Sequence, residues 1–308
     1  MKVYILVLCS LLVLLFYACD KDDVLTPSNS KENYYAVDSS ATDSVSILRH
    51  EFYQRDSSYL LFNDTLRHEV LGKDNSGNIS YFIETVDIGY SMTSSTMPEK
   101  YVYNYIIPFK DKKAAVAFVD SCIIPHLSTK LRPFSFLLVN NITGYVSEDD
   151  GISYTNEGAQ TYVVGDRCAA IATSALNKGS SSDFAKSILA GILMKKINAQ
   201  SSSTLEVFTD YSSSLYGNSS GSSPSSKAAN LVFMEQSGFI VAYSFTLMGY
   251  SVEVWGTYPT QSADLSSFVN LVTTKTEDEV KSQYGGYPIV MEKYYSMKNI
   301  LLNLGYIF

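Results

Sequence analysis

Tyr101-Val102-Tyr103-Asn104-Tyr105-Ile106-Ile107-Pro108-Phe109 and, further on, Leu131-Arg132-Pro133-Phe134-Ser135-Phe136-Leu137-Leu138-Val139 are the stretches on which the reading of this chain turns. Residues 101–107 are aromatic and β-branched, as a strand prefers, and Pro108 stops them because it brings no N–H to a ladder. Asp111 then stands where it can cap a helix carrying Ala114, Ala115, Phe118 and Val119, which Pro125 terminates. Residues 134–139 form a second strand. Strand, helix and strand in close succession predict an α+β chain, a mixed sheet with helices packed on it.

The same periodicities extend outward. On the N-terminal side, Val45, Leu48 and Phe52 recur at helical spacing behind Asp43 or Ser44 as a cap. Residues 59–62, 66–71 and 79–88 are strand-like, and Lys73-Asp74-Asn75-Ser76-Gly77 reads as a hairpin turn. On the C-terminal side, residues 167–173 make a strand. Ser181 or Ser182 opens a helix to about Ala199, with Phe184, Ile188, Ile192 and Leu193 on its apolar side. Residues 212–226 hold nine serines and two glycines in fifteen positions, a composition that favours a loop over a packed element. Structure resumes over 231–245. A last helix from about Ile289 repeats Val290, Tyr294, Met297, Leu301 and Leu304 as a core-facing stripe. Neither a repeat nor a linker divides residues 34–308, which read as one domain.

Composition bounds the function. The chain has 308 residues, 46% hydrophobic and 18% charged, enough apolar material for a core. Its net charge is −8 with no basic stripe, which excludes a nucleic-acid partner. Tyrosine is abundant, 24 residues against 15 Phe and 1 Trp, whereas histidine is limited to His50, His68 and His126. That shortage constrains metal chemistry more than any other feature.

The N-terminus carries an address. Met1 and Lys2 precede an apolar run over 3–16, shorter than the roughly 20 residues a spanning helix needs and suited to a signal sequence. It ends in Phe16-Tyr17-Ala18-Cys19, which resembles a bacterial lipobox, with Phe and Tyr where Leu and a small residue are usual. Residues 1–18 are therefore expected to be a lipoprotein signal peptide. Cys19 is expected to become the lipidated N-terminus, holding the chain to a membrane through acyl chains such as palmitate. Asp20-Lys21-Asp22-Asp23 resembles the acidic export signal that sends Bacteroidetes lipoproteins to the cell surface, with Lys21, Asp22 and Asp23 as its core. Residues 19–33 then form an acidic flexible tether, and the expected location is the outer membrane, facing the exterior. Asp43-Ser44-Val45 and Asp64-Thr65-Leu66 resemble the short O-glycan acceptor sites of exported proteins from the same bacteria. Cys9 leaves with the signal, so Cys122 and Cys168 remain; in an oxidising compartment they could form a disulfide, and among apolar neighbours they could equally stay as buried thiols.

Motifs of catalysis mostly cancel themselves. Gly217-Asn218-Ser219-Ser220-Gly221 matches a nucleophile elbow, but it lies in the serine belt and every histidine is upstream of it. His50-Glu51 and His68-Glu69 begin like H-E-x-x-H, yet Gln54 and Gly72 stand where the second imidazole belongs. Glu148-Asp149-Asp150-Gly151 lacks the ligand spacing of a calcium loop and reads as a solvated turn.

Taken together, the two opening stretches resemble a family of zinc metallopeptidase lipoproteins encoded beside starch-utilisation-type (Sus) nutrient importers of Bacteroidetes. Phe62-Asn63-Asp64-Thr65, Gly238-Phe239-Ile240 with Tyr243, and the helix over 293–304 extend the likeness in order along the chain. The resemblance implies a zincin-like α+β domain over 34–308. In the family, the helix after the 167–173 strand carries H-E-x-x-H. Here that helix reads Ser187-Ile188-Leu189-Ala190-Gly191-Ile192-Leu193-Met194. The ligand places hold Leu189 and Leu193, or Ala190 and Met194, and the place of the catalytic Glu holds Ala190 or Gly191. The family's later acidic run is reduced to Glu253. A zincin needs two helix imidazoles, a third ligand and a Glu base to bring bound water to a pKa of about 7. The expectation is thus a surface-anchored homologue without peptidase activity, metal or cofactor, serving as an accessory binding or scaffold subunit near an outer-membrane nutrient importer. A second reading is a glycan- or peptide-binding module that stacks its ligand on Tyr211, Tyr216, Tyr250, Trp255 and Tyr258. A third is an active zinc peptidase with ligands drawn from His50, His68 or His126.

Overall fold

Ser135–Val139 (β5) is buried along its whole length, at the centre of the four-stranded sheet of the unit that spans residues 35–308. The computed structural model describes residues 32–74, 76–86, 88–89, 99–147, 151–177, 179–221, 224–247 and 250–308. Cys19, Lys21, Asp22, Asp23 and the acidic run at 148–150 therefore lie outside the described residues.

Strand β5 is flanked by Tyr59–Leu61 (β1) and Cys168–Ala172 (β9), both parallel to it, and Tyr162–Val164 (β8) closes the far edge antiparallel to β9. The register sets Leu60, Phe136 and Ala169 side by side, and Leu61, Leu137 and Ala170 one step on. Alternation then sorts the side chains. Leu60, Phe136, Leu138, Ala169 and Ile171 face a helical layer, whereas Leu61, Leu137, Val139, Cys168 and Ala170 face Val86, Ile88 and Ile142. Burial on both faces is why the 134–139 run is almost uninterruptedly apolar. It also settles the cysteines: Cys168 packs on one side of the sheet and Cys122 on the other, and both are free thiols.

The helical layer begins with Ser44–Asp56 (α1), capped by Asp43, whose carboxylate accepts from the N–H groups of Val45 and Ser46. Phe109–Cys122 (α2) starts three residues earlier than an Asp111 cap would set it. Pro108 is its N-cap, and Asp111 sits inside the first turn, its own N–H bonded to the Pro108 carbonyl, so it favours the positive end of the helix dipole without capping it. Pro125 does not end α2 directly: the helix stops at Cys122 and Pro125 enters a single 3-10 turn, Ile124–His126.

Ser181–Asn198 (α3) has Ser180 as its cap, and Ser202–Thr209 (α4), Lys227–Gln236 (α5), Gln261–Thr274 (α6), Glu277–Tyr284 (α7) and Pro288–Leu304 (α8) follow. Helix α8 buries Val290, Tyr294, Met297 and Leu301 of the stripe read from the sequence and leaves its last member, Leu304, partly buried; Gly305 ends the helix at φ 103°, a conformation glycine adopts without strain. The segment 231–245 is helical to Gln236 and extended only from Ser244.

Among the described residues, three small sheets complete the fold. Thr65–Lys73 (β2) and Ile79–Thr85 (β3) form the expected hairpin, its turn held by Asp74 Oδ1 accepting from Ser76 and Asn78 N–H. Glu99–Asn104 (β4), Asn141–Val146 (β6) and Thr155–Gln160 (β7) make an antiparallel sheet, and Ser244–Leu247 (β10) pairs with Tyr250–Glu253 (β11). Strand β4 ends at Asn104, three residues before the expected Ile107. The serine belt is less loose than its composition suggests. Ser212 is buried, Ser219 bridges to Thr257, and the Ser220 N–H bonds the Gly256 carbonyl at 2.8 Å.

Candidate functional site

Because β4 stops at Asn104, residues 105–108 leave the sheet and form one wall of a crevice of about 430 Å³ beyond the carboxyl ends of β5 and β9. The opposite wall is built from the residues that follow those strands. The Asn140 N–H donates to the Asn104 carbonyl at 2.7 Å, and the Ser174 N–H donates to the Asn140 carbonyl at 3.1 Å. Thr173 Oγ1 donates to the Val139 carbonyl at 3.1 Å, and Ser174 Oγ to Asn141 Oδ1 at 2.7 Å. These bonds fix the backbone of the rim while the Asn104 and Asn140 side chains stay exposed.

Tyr105 donates its hydroxyl to Asp64 Oδ1. Burial, and then the hydrogen bond to Asp64, push this phenol up to about 12, so it stays neutral at physiological pH. Ile107 is 81% exposed at the mouth, beside Phe109 at the start of α2. Amides, hydroxyls, the exposed Asp111 carboxylate and an aliphatic lip make a site for a polar, hydrogen-bonding ligand, in the place where sheets with parallel strands collect ligands.

The residues singled out in the sequence fall into separate places. Leu189 and Leu193 of α3 are core residues, while Ala190 and Met194 pack partly buried against that core. Gly191 lies under Tyr162 of β8, where a Cβ would come 2.6 Å from the ring. His50 is on α1, His68 on β2 and His126 in the 3-10 turn, where its Nδ1 lies 2.9 Å from the Ile307 carbonyl. Glu253 takes an ion pair from Lys227 at 3.1 Å and a hydrogen bond from Asn230. Among the described residues no group of three or more His, Cys, Asp or Glu is placed to hold a metal. Of the aromatics, Tyr211, Tyr250 and Trp255 are exposed, whereas Tyr216 and Tyr258 turn inward onto Phe239. Gly217-Asn218-Ser219-Ser220-Gly221 lies between helices α4 and α5, with no strand leading into it.

One cluster has no counterpart in the sequence reading. Lys293 and Asp264 are both fully buried, with Nζ 2.6 Å from Oδ2. Lys293 Nζ also donates to Ser212 Oγ at 3.3 Å, and Tyr216 donates its hydroxyl to the same Oδ2 at 2.8 Å. The rings of Phe208, Phe239 and Phe268 surround the ammonium at 4.6 to 5.0 Å. Burial pulls Lys293 below its ordinary value and pushes Asp264 above its own, each opposed by the charge of the other. A signal was present: Lys293 stands three residues after Val290 and four before Met297, a lysine on the apolar stripe of α8.

Comparison with models of protein families, with curated proteins and with solved structures gives no match. The fold and site define a mixed α+β protein with a polar crevice that carries one carboxylate, Asp111. No helix of the described residues is long and apolar enough to cross a membrane.

Proposed function

We propose that the chain is a lipid-anchored, exterior-facing accessory binding subunit that holds a polar ligand, a glycan or a peptide, near an outer-membrane nutrient importer, and that it performs no peptidase chemistry. The observation that carries the non-catalytic reading is the packing of α3. Leu189 and Leu193 fill the core and Gly191 seats the Tyr162 ring, so the face that would grip zinc in a zincin is occupied by packing. A zincin-like ancestry is supported by the antiparallel edge strand β8 and by α3 following β9. The binding reading rests on the crevice and its lining of amides, hydroxyls and the Asp111 carboxylate. Lipidation at Cys19 and display through Lys21, Asp22 and Asp23 rest on the sequence pattern.

Two experiments test this. The Cys19→Ala variant should move from membranes to the soluble fraction; its retention in membranes under high salt would place the anchor elsewhere. Protein purified without chelator should bind oligosaccharide or peptide and carry no stoichiometric zinc. Near one zinc per chain, lost together with peptide cleavage on mutation of His50, His68 or His126, would replace the proposal with an active zinc peptidase.

A further inference from the structure

Asp264 presents its two oxygens unequally. Oδ2 accepts from both Lys293 and Tyr216, while Oδ1 is buried with no hydrogen-bond partner among the described residues. A buried oxygen left unpaired is costly, and an ion pair in so apolar a box is costly as well. One change relieves both. If Oδ1 leaves as water and Nζ takes its place on Cγ, the remaining Oδ2 keeps its bond from Tyr216 and the new amide N–H keeps its bond to Ser212.

We propose that Lys293 and Asp264 become joined by an isopeptide bond, Nζ to Cγ, which the protein forms unaided and which staples α6 to α8. The two groups are already in contact. Oδ2 lies 2.6 Å from Nζ, which holds the amine beside the carboxyl it must attack. The reacting form is the neutral one, a free amine beside a protonated carboxyl, and burial favours that form of both partners. The amine lone pair attacks Cγ, and the electrons of the carbonyl bond move onto Oδ2, where the Tyr216 hydroxyl stabilises the developing negative charge. A proton passes from nitrogen to the departing oxygen. The C–Oδ1 bond breaks, one water leaves, and the carbonyl re-forms at Oδ2. One C–N bond is made and one C–O bond is lost, with no oxidant or cofactor. Phe208, Phe239 and Phe268 exclude water from the product.

The test is the mass of the purified protein and its tryptic map after denaturation. The expected chain is one water lighter than its sequence. Trypsin should fail to cut after Lys293, leaving residues 282–298 intact and branched onto residues 228–275. Lys293→Arg should keep the charge and restore the full mass, and Tyr216→Phe should slow the loss of water. Separate linear peptides, with cleavage after Lys293 and an unaltered mass in the wild-type protein, would overturn the proposal even if neither variant folded.

Discussion

The ring of Tyr162 rests on the bare backbone of Gly191, so that the edge strand β8 and helix α3 meet where a β-carbon would lie 2.6 Å from Cε2. Tyr162 is half-buried and its phenol is raised by that burial. Gly191→Ala should therefore destabilise the protein by about 1 kcal/mol, an overpacking cost of about 1–3 kcal/mol less the roughly 1 kcal/mol of helix propensity gained. Thermal melts check this. The pair Gly191→Ala with Tyr162→Leu should lose less than the sum of the single changes, because the smaller side chain removes the clash.

Acid stability should depend on Glu277. Hydrogen bonds from Lys281 and Lys298 hold its carboxyl down at about 2, against an ordinary 4.5. A depressed carboxylate contributes stability that is present above its unfolded value and lost as pH falls through the folded one. Denaturant melts between pH 5 and pH 2 should show the wild type losing its advantage over Glu277→Gln across that window, with both alike below it.

The two thiols should separate kinetically. Cys168 is buried in the sheet and raised to about 12, mainly by desolvation, so almost none of it is thiolate at pH 8. Alkylation of the native protein at that pH should mark Cys122 first. Cys168 should react only under denaturing conditions, as peptide mass analysis would show.

Binding at the crevice should be separable from stacking at the serine belt. Asn140→Ala removes an exposed amide at the crevice and should weaken ligand affinity about tenfold, the worth of one hydrogen bond, without lowering the melting temperature. Trp255→Ala should leave affinity unchanged in the same titration; the reverse pattern would move the site to the exposed aromatics.

Much of this architecture was legible in the sequence because it is local or periodic. Asp43 before an apolar helical repeat, the Asp74 turn and the stripe of α8 each announce themselves within a few residues. The misses have physical causes. Phe109 begins α2 because Pro108 already supplies the extended residue that a cap needs, which a search for acidic caps overlooks. Strands β6 to β8 are short and amphipathic only in the context of their partners. The crevice comes from where β4 ends and what β5 and β9 lead into, a tertiary fact. Ser212 looked like part of a loop because its role depends on Lys293, 81 positions away.

That β5 is enclosed on both sides also governs when the protein can fold. Its neighbours are drawn from distant parts of the chain: Leu60 waits for Phe136, and Phe136 for Ala169. No local hairpin can stand in for these parallel pairings, so the central sheet forms late and its assembly is slow. Until residue 172 has been made, the apolar strand β5 has no second partner to close against. The central sheet of the unfinished chain thus stays open on one side, where a chaperone can still capture it.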